Sequence, residues 1–328
     1  MTAADWTIKW AAEHGINYFN FLWYVSPKPG EMHPNNRFLS DYFVKSAFLP
    51  HIQFCVGWCT DGNAKTTSEA HFNADFDYSL DNFFKLPQYK KSADGRPIYT
   101  IYSGGSFMAT LGPERAKQLL AACEAKARQR GFPGVYWIGG YTEKNGAKFL
   151  DAGISGQCYY NWMGTRRGFA GATPDGLFPV LPTDSYFSNA RATWDVMKRE
   201  PKLDLFLPVV LGFDDRIWHG GKTPRTFYGN SPQAFRQHLQ EAKAYMDANG
   251  LKSVLIQNWS EWGEGALLGP HAQFGFDYLR AVTDAFAPGQ TPAAPIGPDD
   301  VGVQATQIKG LYDLIDFVPA RQISAGSR

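Results

Sequence analysis

Hydrophobic runs alternate with amphipathic stretches along most of the chain. Helical spacing of apolar residues is clearest at 113–130, 185–199 and 231–248, and it also appears at 5–14, where Asp5 is placed to cap the helix. The hydrophobic runs between these stretches are short and rich in aromatic and β-branched residues, which predicts buried strands. They cover residues 16–24, 51–58, 96–103, 134–140, 156–162, 205–213 and 253–260. Strands that alternate with helices predict a parallel sheet with crossover helices.

Two α/β architectures fit this alternation, a closed barrel and an open doubly wound sheet. The open sheet is disfavoured because no Gly-x-Gly-x-x-Gly follows a strand and no Gly-x-x-x-x-Gly-Lys-Ser/Thr occurs. We therefore expect an α/β fold of the (β/α)8 TIM-barrel class over residues 1–287. Only seven strands are counted and the chain begins on a helix, so the first strand of the barrel is expected to be missing or atypical.

The composition changes near the C-terminus. From Ala287 onward the sequence PGQTPAAPIGPDD is typical of a linker. Residues 288–328 are therefore predicted to form a Pro/Gly-rich linker and a short C-terminal extension, too small to be a domain by itself. The extension either packs on the barrel or begins a further module, and its VGVQAT segment is an alternative source of the missing strand.

Charge and hydropathy narrow the class of partner. The 32 Lys and Arg residues nearly balance the 31 Asp and Glu residues, and a net charge of +1 argues against nucleic acid as a partner. There is no run of about 18 apolar residues and no basic segment followed by an apolar one at the N-terminus. We expect a soluble protein that does not enter a membrane. The sequence does not decide whether the protein is cytoplasmic, periplasmic or secreted after removal of a signal peptide. It does not decide the oligomeric state either.

Metal and cofactor chemistry finds little support. The four cysteines form no Cys-x-x-Cys pair and have no histidine at zinc spacing, which predicts buried thiols, and the histidines form no His-Glu-x-x-His. Asp75 and Asp77 match an Asp-x-Asp pattern, but two acids two residues apart on a helix do not converge on one ion. They are predicted to lie on a solvated helix face. We expect no metal and no cofactor.

Polar and aromatic residues cluster at the predicted strand ends, where a parallel barrel gathers its active site. Aromatic residues make up 15% of the chain, and their flat rings suit stacking against sugar rings. The segment from Gly212 to Arg225 adds acids and a histidine that can bond sugar hydroxyls, although a solvated loop with an Asp-Arg surface pair is an alternative. The candidate substrate-binding residues are Trp23, Tyr24, Trp58, Tyr102, Asn161, Asp214, Asp215, His219, Arg225, Asn258, Trp259 and Trp262.

The segment NWSEWGEG at 258–265 carries the candidate catalytic residues, Glu261 and Glu264. In a continued strand their side chains would point to opposite faces about 10 Å apart. A helical turn after Trp259, which Gly263 and Gly265 favour, would instead bring them within roughly 5 to 6 Å. Carboxyl groups at about that distance flank the glycosidic bond in retaining hydrolysis. The alternative is that both acids have no catalytic role and only lie in the first turn of a helix, where negative charge is favoured.

NWSEWGEG resembles the Trp-Asn-Glu-Trp-x-Glu-Gly signature of WbsX-like proteins and of glycoside hydrolase family 99, which comprises endo-α-mannosidases and endo-α-mannanases. AAEHGINYFNFLWYVS, HIQFCVGWCTDGN, GRPIYTIYS and GFDDRIWHGGKTPRTF resemble further family segments in the same order, from about residue 5 to 280. The departures are Ser260 for Asn, Phe213 for Trp, Asp215 for Asn and the absent first strand.

The resemblance implies a (β/α)8 barrel acting on α-linked sugars. It assigns Glu261 as the base that deprotonates the substrate's own 2-hydroxyl to form a 1,2-anhydro sugar, and Glu264 as the acid/base for the leaving group. It also places Asp214 on the family's Asp and Arg225 on the Arg that follows its Pro.

The function we expect from sequence is a retaining glycoside hydrolase acting on a mannan-like or related oligo- or polysaccharide. The WbsX name was given to presumed glycosyltransferases, so a glycosyltransferase of polysaccharide biosynthesis is the first alternative. A non-catalytic carbohydrate-binding barrel is the second. The sugar, the linkage and the choice between exo and endo action stay open.

Overall fold

The computed structural model describes residues 2–59, 68–140, 146–160, 181–213, 227–228 and 231–290, together with 294, 296–298 and 300. The chain divides into two compact units, Met1–Pro292 and Ala293–Arg328. The helices, the strands and the candidate site described below all belong to the first unit.

In the described part of the chain, seven parallel strands form one sheet in the order β1-β2-β3-β4-β5-β7-β9. Each coincides with a run predicted from the sequence, so the (β/α) barrel class is confirmed. Among the described residues β1 and β9 are the two edges of this sheet. The strands are β1 (Tyr18–Tyr24), β2 (Gln53–Cys59), β3 (Ile98–Ile101), β4 (Tyr136–Gly140), β5 (Gly156–Cys158), β7 (Asp204–Val210) and β9 (Ser253–Gln257). A separate parallel pair joins β6 (Leu181–Pro182) to β8 (Phe227–Tyr228).

Helices connect most of the strands, as the alternating pattern predicts. They are α1 (Ala3–Glu13), α2 (Glu69–Asn82), α3 (Gly104–Leu111), α4 (Pro113–Gln129), α5 (Gly146–Asp151), α6 (Thr183–Met197), α7 (Pro232–Asn249) and α8 (Asp277–Phe286). Short 3-10 turns occur at Pro34–Asn36, Phe43–Lys45, Leu49–His51 and Trp262–Glu264, with a π turn at Phe38–Tyr42. The prediction that Asp5 caps α1 is wrong by one turn: Thr2 is the N-cap and Asp5 completes the capping box from the third helical position.

The core lies on both faces of the sheet, since β2 and β4 are buried along almost their whole length. Glycine at the end of β4 sets the spacing beneath the candidate site. A Cβ on Gly140 would lie 2.0 Å from the carbonyl oxygen of Tyr102, so only glycine lets β4 pass this close to the end of β3.

The four cysteines Cys55, Cys59, Cys123 and Cys158 are buried, as predicted. Within the described part of the chain, no helix combines the length and the apolar character needed to cross a bilayer.

Candidate active site

The segment that follows β9 bends back on itself. The peptide bond between Gln257 and Asn258 is cis. Glu261 and Ala266 then face each other in an antiparallel bridge with two hydrogen bonds of 3.1 Å. The 3-10 turn between them is closed by the Glu264 N–H, which donates to the Glu261 carbonyl at 3.2 Å, and Gly265 ends it with a φ of 61°. The predicted turn is confirmed, and it begins and ends at the two candidate acids.

Glu264 has a phenol as its hydrogen-bond partner. The Tyr160 hydroxyl donates to Glu264 Oε2 at 2.9 Å, and Asn258 Nδ2 donates to the Tyr160 oxygen at 2.8 Å. The Tyr102 ring meets the Tyr160 ring edge to face, with centroids 5.0 Å apart. Residues that follow three separate strands, β3, β5 and β9, therefore meet at Tyr160, which donates to Glu264.

Tyr160 was not among the residues predicted from sequence. The run 156–162 pointed to Asn161 because the strand was expected to continue to residue 162. In the structure β5 ends at Cys158, so the side chain at its carboxyl end is Tyr160. Cys158 and Tyr160 both line the interior cavity. Side chains two residues apart on a strand point to the same face, so Cys158 on the inner face of β5 would have predicted that Tyr160 faces inward as well.

Glu261 is half-buried, and its surroundings differ from those of Glu264. Burial raises the pKa of Glu261, while a hydrogen bond from the Gly263 backbone acts in the opposite direction. Burial also raises the pKa of Tyr24 to about 12, and the charges of Cys59, Glu261 and Glu264 add to this effect. Tyr24 ends β1 and the two acids follow β9, so all three groups lie at the carboxyl end of the parallel sheet.

Tyr24 is fixed by side chains of the segment that follows β1. Asn36 is buried, and its side chain makes two hydrogen bonds with the Tyr24 backbone. Its Oδ1 accepts from the Tyr24 N–H and its Nδ2 donates to the Tyr24 carbonyl, both at 2.8 Å. The His33 ring stacks on the Tyr24 ring at 5.5 Å.

Two tryptophans of the turn segment have different environments. Trp262 is 66% exposed, the most exposed large hydrophobic residue in the described part of the chain. Trp259 is half-buried and packs edge to face on Phe19 of β1. An exposed aromatic face beside two carboxyl groups is suited to stacking on a sugar ring.

A cavity of about 450 Å³ reaches the candidate site from inside the sheet. Tyr102, Tyr160, Asn258 and Trp259 are among the residues that line it. Residues of both edge strands, β1 and β9, also line this cavity. Glu261 and Glu264 are not part of this lining, so the cavity adjoins the carboxylate pair and does not enclose it.

The structure does not bring Trp23 and Trp58 to the candidate site, which corrects their assignment as sugar-binding residues. Both are only 2% exposed, because they point away from the barrel interior toward α2. Their indole N–H groups donate to the two oxygens of Asp75, at 3.1 and 2.9 Å.

The prediction of a solvated face is wrong for Asp75, which is 6% exposed. Burial raises the pKa of Asp75 to about 6, against the two indole hydrogen bonds, which lower it. Asp77 does lie at the surface, where it pairs with Lys126 at 2.8 Å. The two acids of this helix therefore face in different directions and form no common site.

Five other predicted residues lie outside the described part of the chain: Asn161, Asp214, Asp215, His219 and Arg225. Within the described residues, no group of three or more His, Cys, Asp or Glu side chains is arranged to hold a metal ion.

Parallel strands, crossover helices and an acidic turn at the carboxyl end of β9 place this chain among the (β/α)-barrel proteins. It belongs to the family described as glycosyltransferase WbsX, whose family model matches residues 2–282. A protein of Xanthomonas campestris pv. campestris described as uncharacterized protein WxcX is 33% identical over 94 residues. That stretch covers 27% of this chain and 13% of the relative, so the chain matches only a small part of the curated relative's length.

Solved structures show the same fold in glycoside hydrolase family 99. The GH99 endo-alpha-mannosidase of Bacteroides thetaiotaomicron in complex with bis-tris-propane is similar with a TM-score of 0.58 and 15% identity, over 87% of this chain and 82% of that one. A second structure of that enzyme gives a TM-score of 0.55, again at 15% identity, over 87% and 78% of the two chains. At this identity the likeness concerns the fold.

Proposed function

We propose that the protein is a retaining glycoside hydrolase that acts on α-linked glycans, with Glu261 and Glu264 as its catalytic pair. The observation that carries the proposal is the 3-10 turn after β9, which begins at one acid and ends at the other, at the end of a parallel barrel where such enzymes hold their catalytic groups. The fold shared with endo-α-mannosidases supports a mannan-like substrate.

Glu261 and Glu264 would divide the chemistry between them. In the first step Glu261 takes the proton of the substrate's 2-hydroxyl, O2 attacks C1, and Glu264 donates a proton to the departing glycosidic oxygen. In the second step Glu264 takes a proton from water as the water attacks C1. The bond between O2 and C1 breaks, and Glu261 returns its proton to O2. The configuration at C1 is retained after the two displacements.

The exposed Trp262 ring and the Tyr102 and Trp259 rings would hold the sugar by stacking. Tyr24 and Asn258 supply polar groups at the same end of the sheet. Asn161, Asp214, Asp215, His219 and Arg225 remain proposed contacts to sugar hydroxyls.

The test is hydrolysis of a panel of α-mannans and related polysaccharides, with the products sized and their new reducing ends counted. We expect Glu264→Gln to lower kcat on unactivated substrate by about 10²- to 10⁴-fold while glycan binding persists, because the amide cannot donate the proton that the leaving group needs. Glu241→Gln, at an exposed position on α7, is the matched control and should keep wild-type activity. Full activity in Glu264→Gln would remove Glu264 from the mechanism.

A glycosyltransferase is the second candidate, because the family to which the chain belongs carries that description. The same glycan panel, incubated with sugar nucleotides and a divalent ion, separates the two. Longer products that depend on the nucleotide would favour transfer, and saturable glycan binding without any product would favour a non-catalytic carbohydrate-binding barrel.

A further inference from the structure

We propose that Tyr160 is a positioning residue for Glu264: with Asn258 it holds the carboxyl group and determines which of its oxygens carries the proton. This inference rests on the proposed function, in which Glu264 is the acid/base.

The direction of the hydrogen bonds follows from their donors. The amide nitrogen of Asn258 can only donate, so the Tyr160 oxygen accepts from it at 2.8 Å. A phenol has one hydrogen, and the hydrogen of Tyr160 is therefore directed at Glu264 Oε2, 2.9 Å away. The three groups form a chain in which every proton points toward the glutamate.

The chain is anchored at several places in the fold. Tyr160 follows β5 and Asn258 follows β9, and these two strands are not neighbours in the sheet, since β7 lies between them. The edge-to-face contact with Tyr102, which follows β3, restrains the Tyr160 ring from the other side. The phenol therefore has a fixed place from which to orient a side chain that is carried on a short turn.

A fixed donor on Oε2 has two chemical consequences. Oε2 acts as the acceptor in both charge states of Glu264, so the proton of the neutral acid is carried by Oε1. A hydrogen bond donated to a carboxylate also favours its charged form, which the acid/base must adopt after it has protonated the leaving group. Tyr160 thus both orients the acid and stabilises the state in which it later acts as a base.

Tyr160→Phe tests this with three readouts. The alkaline limb of the kcat/KM profile should move to higher pH by about one unit, because the ionised carboxylate loses a charge-assisted hydrogen bond. The loss of kcat should be large on an unactivated glycan and small on an aryl glycoside whose leaving group needs little protonation. Asn258→Asp should shift the limb in the same direction, because an added acceptor draws the Tyr160 hydrogen away from Glu264.

Tyr245→Phe is the matched control. It removes a similar bond, 2.8 Å from the Tyr245 hydroxyl to Asp195, between α7 and α6. Its pH profile and leaving-group dependence should equal those of the wild type. If Tyr160→Phe also keeps the wild-type limb while Glu264→Gln abolishes hydrolysis, the positioning role is overturned and the proposed function stands.

A measurement that does not depend on catalysis tests the inference even if no glycan in the panel is cleaved. Carboxyl ¹³C NMR of protein labelled at glutamate follows the titration of Glu264, assigned by the signal that Glu264→Gln lacks. Its midpoint should rise in Tyr160→Phe and stay unchanged in Tyr245→Phe. An unchanged midpoint in Tyr160→Phe would overturn the inference whatever the substrate proves to be.

Discussion

Glu261 and Glu264 lie on one turn, but different surroundings act on their carboxyl groups. Tyr160 donates a hydrogen bond to Glu264, whereas burial dominates at Glu261 and raises its pKa. A carboxylate that is costly to keep ionised is a stronger base than an exposed one. The environment of each acid therefore matches the role that the resemblance assigns to it, a base at Glu261 and an acid/base at Glu264.

The proposed base role of Glu261 predicts the acidic limb of the pH profile. Glu261 must be ionised to take a proton. Because its pKa is raised, we expect the loss of activity on lowering the pH to have its midpoint above 4.5, the ordinary pKa of a glutamate. Glu261→Gln should lower kcat/KM by about 10²- to 10⁴-fold at every pH. Rate profiles of both proteins against pH measure this, and a variant that is only a few-fold slower would demote Glu261 to a structural role.

At the scale of elements, the buried carboxylate of Asp75 connects α2 to the sheet through hydrogen bonds. The indole N–H groups of Trp23 on β1 and Trp58 on β2 both donate to Asp75. The sequence contained the signal for this arrangement, because Asp75 lies in the same helical stripe as Phe72, Phe76 and the other buried residues of α2. What the spacing did not show is that an acid in an apolar stripe would find two donors on neighbouring strands.

Removing that carboxylate should destabilise the fold. Asp75→Ala leaves two buried indole N–H groups without an acceptor, and we expect it to lower the free energy of unfolding by about 2 to 4 kcal/mol. Asp77→Ala, on the exposed face of the same helix, loses only a surface ion pair and should cost less than about 1 kcal/mol. Urea denaturation of both variants measures the difference, and equal losses would contradict the role of Asp75 in connecting α2 to the sheet.

The pH dependence of this stability has a definite sign. The pKa of Asp75 is raised from 3.8 to about 6, so the folded state holds the proton more tightly than the unfolded state does. The stabilisation linked to that proton is fully present below about pH 4 and is lost as the pH rises through about 6. Urea denaturation should therefore show that the free energy of unfolding of the wild type, relative to that of Asp75→Asn, is larger at pH 5 than at pH 7. The asparagine side chain does not titrate and serves as the reference.

At the scale of the whole molecule, the sequence predicted the sheet better than the site. Among the described residues, the seven strands of the main sheet follow from hydrophobic runs, and the turn after Glu261 follows from Gly263 and Gly265. Tyr160 was missed because the end of β5 was placed four residues too late, at 162 instead of Cys158. Trp23 and Trp58 were misplaced because a run of aromatic residues does not show which of them face the interior when both faces of the sheet are buried.

The sheet has two edges, and the interior cavity lies between them. Among the described residues β1 pairs only with β2 and β9 only with β7. The ring contact between Phe19 and Trp259, with centroids 5.2 Å apart, joins the two edges through side chains. On its outer side, each of these two edge strands lacks a partner strand among the described residues.

Hydrogen exchange tests this uneven protection across the molecule. In a parallel sheet the backbone N–H groups of a strand point alternately to its two neighbours, so about half of those in an edge strand lack a partner. We expect peptides covering β1 and β9 to exchange faster than the peptide covering β4, which is paired on both sides. The comparison is internal to one protein under one condition, so β4 serves as the reference. Equal protection of β1, β9 and β4 would contradict the prediction that the two edge strands are less protected.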